Sequence, residues 1–179
     1  MDRLTRTSAA DLEIRGDGRT IAGIAVPFDR AARIDGSNGF DETFRRGAFE
    51  RTIRERGDRI KLLAMHAADK LPIGRVTLLR EDDAGLVIEA RVSATNAGDE
   101  VLALVRDGAL DSFSIGFAPV RDEWTADRSA VTRLEVKLFE ISAVAFPAYQ
   151  DARITAVRNN TPQQILTAKH DPRAWLALL

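Results

Sequence analysis

The sequence predicts a mainly β protein carrying a few helices (an α+β chain), built as a mostly antiparallel barrel or sandwich. Six apolar, β-rich segments are spread along the 179 residues. Only two segments show helical spacing of apolar residues. Strands and helices do not alternate regularly, which disfavours a doubly wound parallel sheet.

Residues 1–17 are polar and read as a flexible leader. Residues 19–27 (RTIAGIAVP) are apolar and β-branched at the centre, which predicts a strand. Residues 31–38 contain Asp35-Gly36 and predict a loop. Residues 43–56 predict a helix, because Phe44 and Ala48, and Phe49 and Ile53, fall four apart between charged residues. Residues 60–65 predict a short strand. Residues 73–80 and 86–92 predict a hairpin whose turn is EDDAG; Leu86, Ile88, Ala90 and Val92 alternate with Val87, Glu89 and Arg91. Residues 96–107 predict the clearest helix, with Asn96 as cap, Asp99 near the positive end of the dipole and Gly108 as stop. Residues 110–120 and 138–146 predict two more strands, and 122–128 a polar loop. Beyond residue 158 the chain turns polar, with a short helix expected at 174–179. The expected organisation is a leader (1–17), one domain (18–157) and a polar tail (158–179).

Composition narrows the function. Hydrophobic residues make up 45% and charged residues 30%, enough to bury a core. The formal net charge is −1, so no basic footprint for nucleic acid is expected; the arginines at 45–56 are interleaved with acids and read as a solvated helix face. Without cysteine there is no disulfide, thiol nucleophile or thiolate metal site, and a count of two histidines argues against a zinc site. No cofactor or metal is called for. The N-terminus lacks an apolar signal core, and apolar runs reach about half the ~20 residues of a membrane helix, so a soluble intracellular protein without a membrane partner is expected.

Three residues stand out by position. His66, in LLAMHAADKLPIGRV, follows an apolar strand and is placed for proton transfer; a satisfied structural histidine is the commoner reading of such a position. In GALDSFSIGFAP, alternation puts Phe113, Ile115 and Phe117 on one face and Ser112, Ser114 and Gly116 on the other, an accessible surface for a nucleophile or an ordinary half-exposed strand. Glu140 interrupts an apolar run in KLFEISAVAFPAYQDARI. Such a carboxylate either orients an imidazole or pairs at a strand edge with Arg75 or Arg91. These residues permit a serine hydrolase without requiring one.

Six local patterns then fall in order over residues 21–158: IAGIAVPFD, RRGAFERTI, LLAMHAADKLPIGRV, DDAGLVIEARV, LVRDGALDSFSIGFAP and LFEISAVAFPAYQDARI. In this order they resemble the prohead serine proteases of tailed phages, of the HK97 head-protease type. That resemblance implies a fold related to the herpesvirus assemblins, a mixed β-barrel of about seven strands wrapped by helices. It implies a serine endopeptidase with Ser114, directly before Ile-Gly-Phe, as nucleophile, His66 as base and Glu140 where assemblins carry a second histidine. It points to residues 147–153, with Arg153, for the oxyanion amides, although the paired arginines of assemblins are missing. The implied substrates are the scaffold or the scaffold-like arm of the major capsid protein, and the enzyme itself, inside the procapsid in the bacterial host cytoplasm. A homodimer is an admissible state.

Three rivals compete. A non-catalytic assembly module of the same fold would be signalled by loss of Ser114 or His66, and both are present. An esterase would want a G-x-S-x-G elbow, which is lacking. A nucleic-acid-binding barrel would want exposed aromatics and a basic groove, whereas aromatics are 6% and Phe113 and Phe117 fall on the expected core face.

Overall fold

The computed structural model describes residues 4–8, 13–15, 18–35 and 39–146. Its order is β1 (Leu4–Ser8), β2 (Glu13–Arg15), β3 (Thr20–Pro27), β4 (Ala32–Ile34), β5 (Phe40–Phe44), α1 (Glu50–Arg56), a 3-10 turn (Gly57–Arg59), β6 (Lys61–Ala64), β7 (Gly74–Glu81), β8 (Gly85–Val92), α2 (Asn96–Asp107), β9 (Ser112–Trp124) and β10 (Ala130–Val144). All strands join one sheet in the order β1-β9-β10-β6-β7-β8-β3-β2, with β5 added to β10 and β4 to β5. β10 runs parallel to β5 and β6; the other pairings among the described residues are antiparallel. The sheet curls until β3 lies against β9 and β1. The result is a mixed, barrel-like sheet rather than a sandwich.

The six strands expected from the sequence are all present, and four short ones join them. Residues 4–8 and 13–15, within the stretch expected to be a loose leader, are edge strands against β9 and β3. The expected loop at 31–38 contains β4. The helix expected over 43–56 is confined to α1, because Phe40–Phe44 is extended beside Ala130–Arg133 of β10 and Gly47 turns the chain at φ +97°. The four-residue spacings there reflect aromatic packing: Phe44 and Phe49 stack at 5.6 Å across that turn. β10 starts at Ala130, so the expected polar loop shrinks to the tip of a long β9–β10 hairpin.

α2 matches its expected span, but its cap is one residue earlier. Thr95 is extended and its hydroxyl accepts from the Gly98 N–H at 3.2 Å. Gly108 closes the helix in the left-handed region at φ +79°. α1 has no side-chain cap of its own. Instead the Glu81 carboxylate, at the end of β7, accepts from the Gly47 and Phe49 N–H groups at 2.6 and 2.7 Å. The core inside the curl is led by Phe44, Phe49, Leu62, Ile88, Phe113 and Phe117, all fully buried. The short helix expected at 174–179 lies outside the described residues.

Candidate active site

β10 runs between β9 and β6, and these three strands bring the candidate residues together. Ser142 lies opposite Ser114 of β9 and, on its other side, opposite Leu63 of β6; Ala143 lies opposite Ala64, the last residue of β6. Leu63 is thus the residue level with Ser114 across β10; His66 lies three residues further on, and a turn brings its ring back to Ser114.

Glu140 reaches the same face through a bulge. Leu138 lies opposite Phe117, yet Glu140, two residues on, lies opposite Gly116, only one residue on. In a regular strand Leu138 and Glu140 would share a face. The extra residue, Phe139, moves Glu140 to the face of Gly116 and Ser114. Ile141 and Ala143 then join Leu138 in the core, opposite Ile115 and Phe113.

His66 is aimed by its backbone. Met65 and His66 both adopt left-handed conformations, at φ +51° and +58°. Such geometry disfavours residues other than glycine by about 1–2 kcal/mol each, so it persists only where neighbours enforce it. Here the Met65 N–H donates to the Ala143 carbonyl at 3.0 Å and the His66 N–H donates to Ser142 Oγ at 3.2 Å. The Ala67 N–H closes the turn onto Ala64 at 3.0 Å.

A continuous chain of hydrogen bonds results. His66 Nδ1 is 2.7 Å from Glu140 Oε1, and His66 Nε2 is 2.5 Å from Ser114 Oγ. An ionised carboxylate only accepts, so Nδ1 carries the proton and Nε2 is left to accept from the serine hydroxyl. Ser142 Oγ donates to the second oxygen of Glu140 at 2.7 Å. Glu140, Ser114 and Ser142 are buried, while the His66 side chain is 23% exposed. An imidazole held this way can take a proton from Ser114 and keep its positive charge beside a carboxylate.

The site refines several expectations. Ser114 is fully buried rather than on an accessible face, because both faces of β9 are covered from Ser112 to Ala118. Ser112 donates instead to Asp111 at 2.7 Å. Glu140 lies inside the sheet, not at the strand edge where an arginine pair was the competing reading. Ser142, seen in the sequence only as the neighbour of Glu140, bonds both Glu140 and the His66 backbone N–H; its spacing of two from the acid was the signal available. His170 and the 147–153 segment lie outside the described residues. Among those described, no group of three or more His, Asp or Glu side chains is arranged to hold a metal ion, and no helix is long and apolar enough to cross a membrane.

Comparison with known proteins gives this geometry a context. The family model of the caudovirus prohead serine proteases matches residues 6–165. The chain belongs to that family. Among prohead proteases it is 26% identical over 115 residues to that of Enterobacteria phage HK97, covering 63% of this chain and 51% of the relative. It is 28% identical over 88 residues to that of Escherichia phage T5, covering 49% of this chain and 41% of the relative. The aligned part thus spans about half the length of these relatives or less. In structure it is similar to the capsid assembly protease of bacteriophage T4, with a TM-score of 0.56 at 17% identity, over 82% of this chain and 98% of that one. That likeness shows that the two chains share a fold.

Proposed function

We propose that this prohead protease is a serine endopeptidase of phage or phage-like capsid maturation, with Ser114 as nucleophile, His66 as general base and Glu140 as the acid that orients it. The observation carrying the proposal is the unbroken Ser114–His66–Glu140 hydrogen-bond chain, built from three adjacent strands of a family member.

The steps follow acyl-transfer chemistry. Ser114 Oγ attacks the scissile carbonyl carbon as His66 Nε2 takes its proton. The imidazolium is stabilised by Glu140 and returns the proton to the leaving amine nitrogen as the C–N bond breaks. Water, deprotonated by His66, then attacks the ester; the acid product leaves and Ser114 is regenerated. Main-chain amides must hold the oxyanion, and each such donor is worth ~10²–10³ in rate; residues 147–153 are our candidate for supplying them.

The substrates we propose are the scaffold, or the scaffold-like arm of the major capsid protein, and the protease itself, cut inside the procapsid in the host cell. The protease domain would be residues 18–157, with strands β1 and β2 of the 1–17 segment added at the edges of its sheet and 158–179 as a docking or self-cleavage segment. Membrane and nucleic acid have no part in this reading, and a homodimer is compatible with it. The test is co-expression with the major capsid protein of the same gene neighbourhood, as wild type and Ser114→Ala, with intact masses of both proteins. Shortening of the capsid protein or the protease in wild type alone supports the proposal. Equal cutting by both forms removes Ser114 as nucleophile. No cutting while procapsids assemble favours a non-catalytic assembly module.

A further inference from the structure

Ser142 closes a circuit that a Ser-His-Glu relay does not by itself require. One hydroxyl has a single proton to donate and lone pairs to accept with. Ser142 uses the proton on Glu140 Oε2, at 2.7 Å, and a lone pair on the His66 backbone N–H, at 3.2 Å. Glu140 Oε1 meanwhile holds His66 Nδ1 at 2.7 Å. The carboxylate is therefore gripped by both oxygens, one toward the ring and one toward the strand that carries it. The same hydroxyl that fixes the carboxylate also pins the backbone of the residue bearing the ring.

We propose that Ser142 is a positioning residue: it sets the rotation of the Glu140 carboxylate and the left-handed turn at His66 together, and so the aim of Nε2 at Ser114. The inference rests on reading Ser114, His66 and Glu140 as the catalytic set. The terminal torsion of a glutamate is broad, so the carboxylate plane needs a second partner to stay fixed. The His66 backbone sits at φ +58°, and its own N–H is anchored to this hydroxyl. Ser142 is fully buried, opposite Ser114 across the strand pair. With alanine there, Glu140 Oε2 loses this donor and the His66 N–H loses that acceptor. The ring then drifts from a serine oxygen now 2.5 Å away.

The test is labelling of Ser114 by a fluorophosphonate, with the limiting rate and the half-saturating concentration measured separately on the full chain. Ser142→Ala is expected to lower the limiting rate about 10- to 100-fold, the scale of a small misplacement of reacting groups, with the half-saturating concentration unchanged. Ser142→Thr keeps the hydroxyl and is expected to restore most of the rate. In a Glu140→Gln background, Ser142→Ala is expected to cost less than it does alone, because the route through the carboxylate is already broken and only the His66 N–H anchor remains to be lost. A full, independent loss in that background, or failure of Ser142→Thr to recover rate while its melting temperature matches wild type, assigns Ser142 a merely structural role and overturns the proposal. Should Ser142→Ala fail to fold, the threonine variant decides alone. A wild-type rate in Ser142→Ala also overturns it, leaving the catalytic set intact. Absence of labelling in wild type, or equal labelling of Ser114→Ala, instead overturns the catalytic set and this proposal with it.

Discussion

At the residue scale, a carboxylate as buried as Glu140 is costly unless each oxygen is bonded, and both are, to His66 and Ser142. Replacing it by glutamine keeps the volume but offers an amide that can donate where the carboxylate only accepted. The imidazole then favours the tautomer with its proton on Nε2, where it cannot accept from Ser114. Glu140→Gln is therefore expected to lower kcat by on the order of 10³–10⁴, as for the equivalent change in other triads, with KM little altered; steady-state cleavage of a capsid-arm peptide measures both. The residue types alone could not single out this site. Ser114, His66 and Glu140 became candidates through the order of motifs around them, because their meeting depends on features with no local signature. One is the bulge at Phe139, which changes the face of Glu140. The other is the left-handed pair Met65 and His66, neither of them the glycine or asparagine that would announce such a turn.

Elements were legible where local rules decide them. α2 has a clean apolar stripe, a left-handed glycine stop and a threonine cap, and only the cap was misplaced by one residue. β5 and α1 merged in the sequence because aromatic residues at helical spacing also serve a strand followed by a turn. β10 was seen at its C-terminal half alone, since its register shifts and the buried Arg133 break the period of two before Leu138. The Pro-Ile-Gly start of β7 has a physical reason: a Cβ on Gly74 would lie 2.2 Å from the Arg91 carbonyl oxygen of β8. Gly74→Ala is therefore expected to destabilise the fold by about 1–3 kcal/mol, the range of overpacking, read as a lower urea midpoint. The β9–β10 tip gives a pH prediction. Hydrogen bonds from the Thr125 hydroxyl, the Ser129 N–H and the Ser129 hydroxyl hold the Asp127 carboxyl down at about 2 against an ordinary 3.8. A lowered folded-state value means stability that is present in full above the ordinary value and is lost as pH falls toward about 2. The melting-temperature gap between wild type and Asp127→Ala is thus expected to be constant above pH 4 and to close between pH 4 and 2.

At the scale of the whole molecule, the sequence carried the fold class but not the strand order. Which strands join β10 in parallel is decided by contacts far apart in the chain. Glu42 of β5, Asp122 of β9 and Arg133 of β10 form one cluster: Arg133 Nε and Nη2 reach Glu42 Oε1 at 2.7 and 2.6 Å, and Nη1 reaches Asp122 Oδ2 at 2.5 Å. Glu42 and Arg133 are buried, and the guanidinium also lies 5.8 Å from the Phe117 ring centre. Removing one member of such a cluster strands charge away from water, whereas replacing all members by apolar groups removes the need for pairing. Arg133→Met is accordingly expected to cost about 3–5 kcal/mol, the range for breaking a buried ion pair, measured by urea unfolding. The triple change Glu42→Met, Asp122→Leu, Arg133→Met is expected to recover most of that loss. The cluster sits toward the Ala130 end of β10 and the Ser114–His66–Glu140 set toward the other, so the folded fraction of either variant should label Ser114 at the wild-type rate. Equal destabilisation of the single and triple variants would mean that the ion cluster itself, rather than the filling of its space, is what fastens β5 to the rest of the sheet.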